Sequence, residues 1–257
     1  MKLRFFVPSV IFLFCGLVTR AQITEMYYQG FESGETPLYT GPASVTTQYH
    51  SSGSGALMIS QANDADVTIE LSEIDFTQNT SLRYISFEFD HMCNVQTNTG
   101  ADVNMCRLYY KRSNETQWHQ ITASNYNQSS GEYSRPFVSF SSFSINSYNE
   151  WYEQGSTLSN NLWKRERFDL NNVLGASVAQ NERRLMLKLV VRQKTSSGAS
   201  TGKWVLDNLK VSASPSPMVK PTLTMVKYPD GMYYPSSRGA EIVVLPKTTV
   251  SQGINPD

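Results

Sequence analysis

Glu88 and Asp90 stand two residues apart in the segment Ile85-Ser-Phe-Glu-Phe-Asp-His91. In an extended strand that spacing puts both carboxylates on one face. Retaining glycoside hydrolysis needs two carboxyl groups about 5–5.5 Å apart, so Glu88 is the residue to consider for acid or nucleophile work. The positions that would complete a Glu-x-Asp-x-Glu or Glu-x-Asp-x-x-Glu strand are Met92 and Cys93, so the second catalytic carboxylate is missing and Glu88 reads as part of a solvated face. The chain contains no Gly-x-Ser-x-Gly elbow, no His-Glu-x-x-His pair and no phosphate-binding glycine loop. No catalytic residue is assigned. A different chemistry is offered by Tyr148, Trp151 and Tyr152, which fall in a stretch rich in Ser, Asn and Tyr between 125 and 161. Flat rings can stack on a pyranose while nearby amides bond its hydroxyls, so these three are the candidate sugar platform. The alternative is that they pack over the edge of the domain.

Short alternating segments separated by Gly, Ser, Asn and Asp clusters dominate the chain, the pattern of an all-β sandwich or barrel. Strands are predicted at 26–31, 56–60, 67–71, 84–93, 105–111, 118–122, 163–169, 184–192 and 203–211, with at most one helical turn, at 171–174. Ile85, Phe87, Phe89, His91 and Cys93 share one face of their strand, which makes His91 a core histidine. If the turn after this strand centres on Thr99-Gly100, Cys93 lies opposite Cys106 on the apolar side. A disulfide between them is expected, two reduced core thiols being the alternative. The stretch 125–161 is too long for an ordinary connection, so it holds extra strands or forms a large functional loop. Lys164-Arg-Glu-Arg167 reads as alternating charge on an exposed strand.

Residues 1–21 combine Lys2 and Arg4 with an apolar run from Phe5 to Val18 and a small residue at Ala21. That is the layout of an export signal, and it implies a secreted or cell-surface protein whose mature chain begins near Gln22. Basic and acidic residues number 22 each. Without Lys2, Arg4 and Arg20 the remainder carries a net charge of −3, which gives no support to nucleic-acid binding. No later segment is apolar enough to span a membrane. The organisation expected is a signal at 1–21, a β-sandwich at 22–211, a Pro/Ser linker at 212–221 and an incomplete second β unit or tail at 222–257, with strands at 222–227 and 240–245.

Gly30-Phe31-Glu32, then Ser52-Gly-Ser-Gly-Ala-Leu57, the strand ending at His91, Trp163 with Phe168-Asp-Leu170, and finally Trp204-Val-Leu-Asp-Asn-Leu-Lys-Val211 follow one another in that order. The order resembles the jelly-roll domains called MAM-like, choice-of-anchor J or cleaved-adhesin type, over about three-quarters of the chain. The resemblance implies a two-sheet antiparallel jelly-roll sandwich with a short C-terminal β extension. It implies a non-catalytic binding or adhesion module for glycans, or for surface or matrix proteins, attached to a longer polypeptide. A carbohydrate-active hydrolase or lyase on the same scaffold, or a structural spacer, are the alternatives. Such sandwiches often hold calcium where first and last strands meet. Glu32, Asp90 and Asp207, with Asn208 beside them, are the expected ligands, whose alternative role is to cap turns or pair with arginines. Three histidines without ligand spacing argue against zinc.

Overall fold

The structure, a computed structural model, describes residues 23–61, 65–96, 105–126, 141–155, 157–171, 173–193, 201–217, 225–227 and 233–235. In chain order the strands are β1 (Thr24–Gln29), β2 (Tyr39–Thr40), β3 (Ser44–Thr46), β4 (Ala56–Gln61), β5 (Val67–Leu71), β6 (Ile74–Asp75), β7 (Tyr84–Cys93), β8 (Met105–Arg112), β9 (His119–Gln120), β10 (Lys164–Asp169), β11 (Arg184–Arg192) and β12 (Gly202–Ser214). The first sheet runs β10-β7-β12-β4-β3 with β1 also on β12, and the second runs β2-β5-β11-β8-β9 with β6 on β11. Every pairing in both is antiparallel. This is the all-β sandwich expected from the alternation, with the two antiparallel sheets of the jelly roll that the resemblance implies. No helix among the described residues is long and apolar enough to cross a membrane.

The period of two decides which side chains meet inside. Ile85, Phe87 and Phe89 from β7 face Leu185, Leu187, Leu189 and Val191 from β11, all of them buried. Phe89 stacks on Phe168 at 5.9 Å between ring centroids and meets Phe143 and Trp204 edge-on. Such pairs add about 0.5–1.5 kcal/mol beyond their buried area.

β12 organises the first sheet. Its first half pairs with β4 and its second half with β1, while β7 accompanies both halves. At the junction the register with β7 slips between Asp207 and Lys210, so Asn208 and Leu209 together oppose Phe89. Such a bulge bends the strand and re-aims its side chains, and Asn208 takes the left-handed conformation there, with φ 52°.

Several expectations are corrected. β12 continues through Ser214, whose Cα pairs with Tyr84, and Ala213 and Ser214 are buried, so the first residues of the expected 212–221 linker belong to the sandwich. In the tail, β13 (Met225–Lys227) pairs with β14 (Tyr233–Pro235); the strand expected at 240–245 and the export signal at 1–21 lie outside the described residues. Among its described residues the stretch 125–161 contributes a short helix, α1 (Asn149–Gln154), that buries Trp151. Residues 127–140 lie outside the description.

Cys93 and Cys106 are corrected as well. β7 and β8 are not hairpin partners but belong to opposite sheets, where Cys93 pairs with Trp204 and Cys106 with Val191. The two sulfurs meet across the interior at 3.7 Å as free, buried thiols, so the expected bridge is not formed. Burial, followed by the contact with Cys93, pushes the Cys106 thiol well above its ordinary value, which makes it a poor nucleophile.

Candidate functional site

Chemistry-bearing side chains gather in three places. The first is the bulge in β12. Asp90 lies directly opposite Asp207. Arg165 grips Asp90 with both ends of its guanidinium, at 2.7 and 3.0 Å, and Ser51 Oγ and Asn208 Nδ2 each donate to Asp90 Oδ2 at 2.8 Å. Asp207 accepts the backbone N–H groups of Ser51 (2.8 Å), Ser52 (3.0 Å) and Asn208 (2.7 Å). Glu32 accepts from the backbone and hydroxyl of Ser54 at 2.9 and 2.7 Å. The turn 51–55 is therefore fastened at both ends by carboxylates. Gly53 is required between them: its φ is +60°, and a Cβ there would collide with the Glu32 carboxylate.

These contacts decide whether the expected calcium ligands fit an ion. Calcium needs six to eight oxygens with lone pairs to give. The oxygens of Asp90 already accept four donors and those of Asp207 three, while Glu32 is held by Ser54. Among the described residues no group of three or more His, Cys, Asp or Glu is arranged to hold a metal. Glu32, Asp90 and Asp207 thus do not fit a calcium ion. They cap a turn and bind an arginine.

The charges at the bulge respond to pH in opposite senses. Burial would raise Asp90, but hydrogen bonds from Arg165, Asn208 and Ser51, with the Arg165 charge, outweigh it and hold the carboxyl below its ordinary value. Burial, aided by the Asp90 charge, pushes Asp207 up in spite of the three N–H donors. A depressed carboxyl adds stability above its ordinary value of 3.8, and this is lost as pH falls through the lower, folded-state value. A raised one costs stability once ionised. Asp90→Asn is therefore expected to lower stability by about 1 kcal/mol at neutral pH, since Arg165 is largely solvated. It should also flatten the loss of stability below pH 3.8. Parallel acid limbs of thermal midpoint against pH, wild type against variant, would disprove the assignment.

Glu88 fares like Asp90. Its cross-strand partner is Arg167, whose Nε stands 3.7 Å from the Glu88 carboxylate. Arg165 and Arg167 on β10 so match Asp90 and Glu88 on β7, a ladder of opposite-charge pairs.

The second place is inside the sandwich. Glu166, between those two arginines in sequence, points the other way and is wholly buried, as is His91, so within the expected exposed charged strand Arg165 faces water and Glu166 does not. Trp204 Nε1 donates to His91 Nδ1 at 3.0 Å. An indole can only donate, so the imidazole proton sits on Nε2, which faces Glu166 Oε1 at 3.2 Å. The Tyr148 hydroxyl donates to the same oxygen.

Two of the three expected sugar-platform rings belong to this interior. Trp151 is 1% exposed, packs edge-on to His91 and Tyr148, and donates from Nε1 to the Leu162 carbonyl at 2.7 Å. Tyr148 is 6% exposed, and only Tyr152, at 67%, faces water. Tyr148, Trp151 and Tyr152 therefore do not form a platform. On α1, Trp151 and Tyr152 are adjacent in sequence and so lie on different faces.

The third place is the outward face of the second sheet. Cys106 and Leu108 point inward from β8, so Arg107, Tyr109 and Lys111 alternate outward. The register sets Lys188 of β11 between Glu70 of β5 and Tyr109, and Tyr109 opposite Gln120 of β9. Trp118, just before β9, leans over the same surface. The Lys188 ammonium stands 4.4 Å from the Trp118 ring centroid and 5.0 Å from that of Tyr109, and the Lys111 ammonium stands 4.9 Å from Trp118. Each such contact contributes about 0.5–1 kcal/mol at a half-exposed position. Burial pulls Lys188 below the ordinary lysine value, Lys111 adds to the effect, and Glu70 and Asp66 oppose it. Alternation marks Tyr109 and Lys111 as outward in the sequence itself. Their gathering with Lys188 and Trp118 depends on strand order, which alternation does not carry.

No family model matches the chain, and no curated protein matches it. Solved structures that overlap it include the C-terminal family 22 carbohydrate-binding module of Clostridium thermocellum Xyn10B (10% identity, 76% of this chain and 97% of that one, TM-score 0.40). A non-crystalline-cellulose-specific module, CBM28, overlaps at 12% identity over 66% of this chain and 80% of its own, with a TM-score of 0.32. An exo-beta-agarase overlaps at 14% identity, 76% of this chain and 25% of its own, with a TM-score of 0.36. Overlap at this level extends to neither ligands nor site residues.

Proposed function

We propose that this protein is a non-catalytic glycan-binding module of an exported protein, and that it binds through the outward face of the second sheet. The observation that carries the reading is the half-exposed pair of Tyr109, on β8, and Trp118, just before β9, set among Lys111, Lys188 and Gln120. Recognition of a sugar needs apolar ring surface together with a few directed polar groups, and strands hold both in fixed register. Catalysis is not favoured, because Glu88 and Asp90 are each matched to an arginine. Nor is binding at α1 favoured, whose only exposed large ring is Tyr152.

Trp118→Ala is expected to weaken retention on the bound polysaccharide in affinity electrophoresis by about tenfold or more, equivalent to about 1.4 kcal/mol. Loss of its contacts with the two lysines should cost the fold only about 1 kcal/mol. Tyr152→Ala should change neither quantity. If Tyr152→Ala abolished retention and Trp118→Ala did not, the binding face would be elsewhere.

A further inference from the structure

Arg107, Lys111 and Lys188 form no salt bridge among the described residues. They differ in this from Arg165, which holds Asp90, from Arg112, which holds Glu115 at 2.6 Å, and from Arg192, which holds Asp66. Nε of Arg107 is moreover buried without a hydrogen-bond partner. The three cations are not scattered. Arg107 and Lys111 lie four residues apart on β8, a span of ~13 Å, and Lys188 enters between them from the neighbouring strand, opposite Tyr109. Cations and rings so alternate along one line: Arg107, then Tyr109 with Lys188, then Lys111 with Trp118. The acids adjoining that line are Glu70, on the far side of Lys188, and Asp66, whose charge also reaches Lys188.

We propose that the ligand of this face is a polyuronate, a carboxylated polysaccharide whose ring faces lie on Tyr109 and Trp118 while its carboxylates meet Arg107, Lys111 and Lys188. The inference rests on the glycan-binding face proposed above and specifies its ligand. Complementarity of charge carries it, because a neutral glycan laid over this face would take Arg107, Lys111 and Lys188 out of water with no counter-charge, at a cost that an anionic chain removes. Carboxylate is favoured over sulfate by two features. The planar guanidinium of Arg107 matches a carboxylate in two-point geometry. The cations are also spaced singly between rings, as one charge per sugar requires, and not clustered as a densely sulfated chain would require.

The test compares polygalacturonate with its fully methyl-esterified form, which keeps the sugar backbone and removes the charge. Dextran sulfate and a panel of neutral polysaccharides complete the set, each offered to the whole chain in affinity electrophoresis. Polygalacturonate should be retained at least tenfold more strongly than its ester. Retention should weaken as salt is raised from 0.05 to about 0.5 M, and the double variant Lys111→Gln/Lys188→Gln should lose at least tenfold while its circular-dichroism spectrum stays that of the wild type. Equal retention of acid and ester, or preference for dextran sulfate, overturns the inference. Retention of neutral polysaccharides alone, still sensitive to Trp118→Ala, overturns it and leaves the glycan-binding reading standing. Retention of nothing in the set overturns both.

Discussion

Trp151→Ala lowers the stability of this protein by about 3–5 kcal/mol, the usual cost of deleting a fully buried tryptophan. For a chain of this size that is a fall in thermal midpoint of roughly 6–20 °C. The indole fills the space between α1 and the interior, edge-on to His91 and to Tyr148 at 5.0 and 4.6 Å. It also satisfies the Leu162 carbonyl, which alanine would leave buried without a donor. Trp151→Phe keeps most of the ring volume and loses the N–H, so its cost should be intermediate. Glycan retention per folded molecule should not change in either variant, since the ring lies far inside the surface. Thermal unfolding followed by circular dichroism separates this from the expectation formed on the sequence. An unchanged midpoint with lost binding would restore Trp151 to a platform, whereas a large fall with binding intact confirms it as core.

That reversal shows where the sequence was legible. Strand positions came from alternation, and alternation is a local property: β5, β7 and β11 have the bounds expected for them. Strand order is not local. Cys93 and Cys106 fit an apolar hairpin as well as they fit two facing sheets, because in both arrangements each points into the core. Short strands such as β2, β3 and β6 carry too few residues to show a period. The polar setting of Trp151 misled for a related reason. Asn, Ser and Glu around it suggested a loop open to solvent, yet within one helical turn a single ring can be buried while its neighbours in sequence remain wet. Glu166 could have been found, since it shares its face of β10 with Phe168, but a carboxylate between two arginines reads more readily as a surface charge. Glu32, Asp90 and Asp207 pose a different difficulty: carboxylates at a strand junction serve equally to hold a cation or to hold N–H groups, and only their partners in the fold distinguish these roles.

Glu166→Leu should be comparably damaging, and for a different reason. Its Oε1 is the common acceptor of His91 Nε2–H and of the Tyr148 hydroxyl, and all three side chains are buried. Leucine approximates the volume and accepts nothing. Each buried hydrogen bond lost with this acceptor costs about 1–3 kcal/mol, so a loss of roughly 2–6 kcal/mol is expected, with Glu166→Gln milder because one accepting oxygen is kept. The imidazole cannot escape by exchanging tautomers, because Trp204 already donates to Nδ1. Non-additivity is the specific signature. Once Glu166 is leucine, the hydroxyl has lost this acceptor, so Tyr148→Phe should cost less than the same change in the wild type, where it breaks the bond to Glu166 Oε1. A coupling of about 0.5–3 kcal/mol in the double-mutant cycle is therefore expected from denaturant unfolding. If the two substitutions simply add, Glu166 and Tyr148 do not act as one unit, and the volume of the side chain alone accounts for the loss.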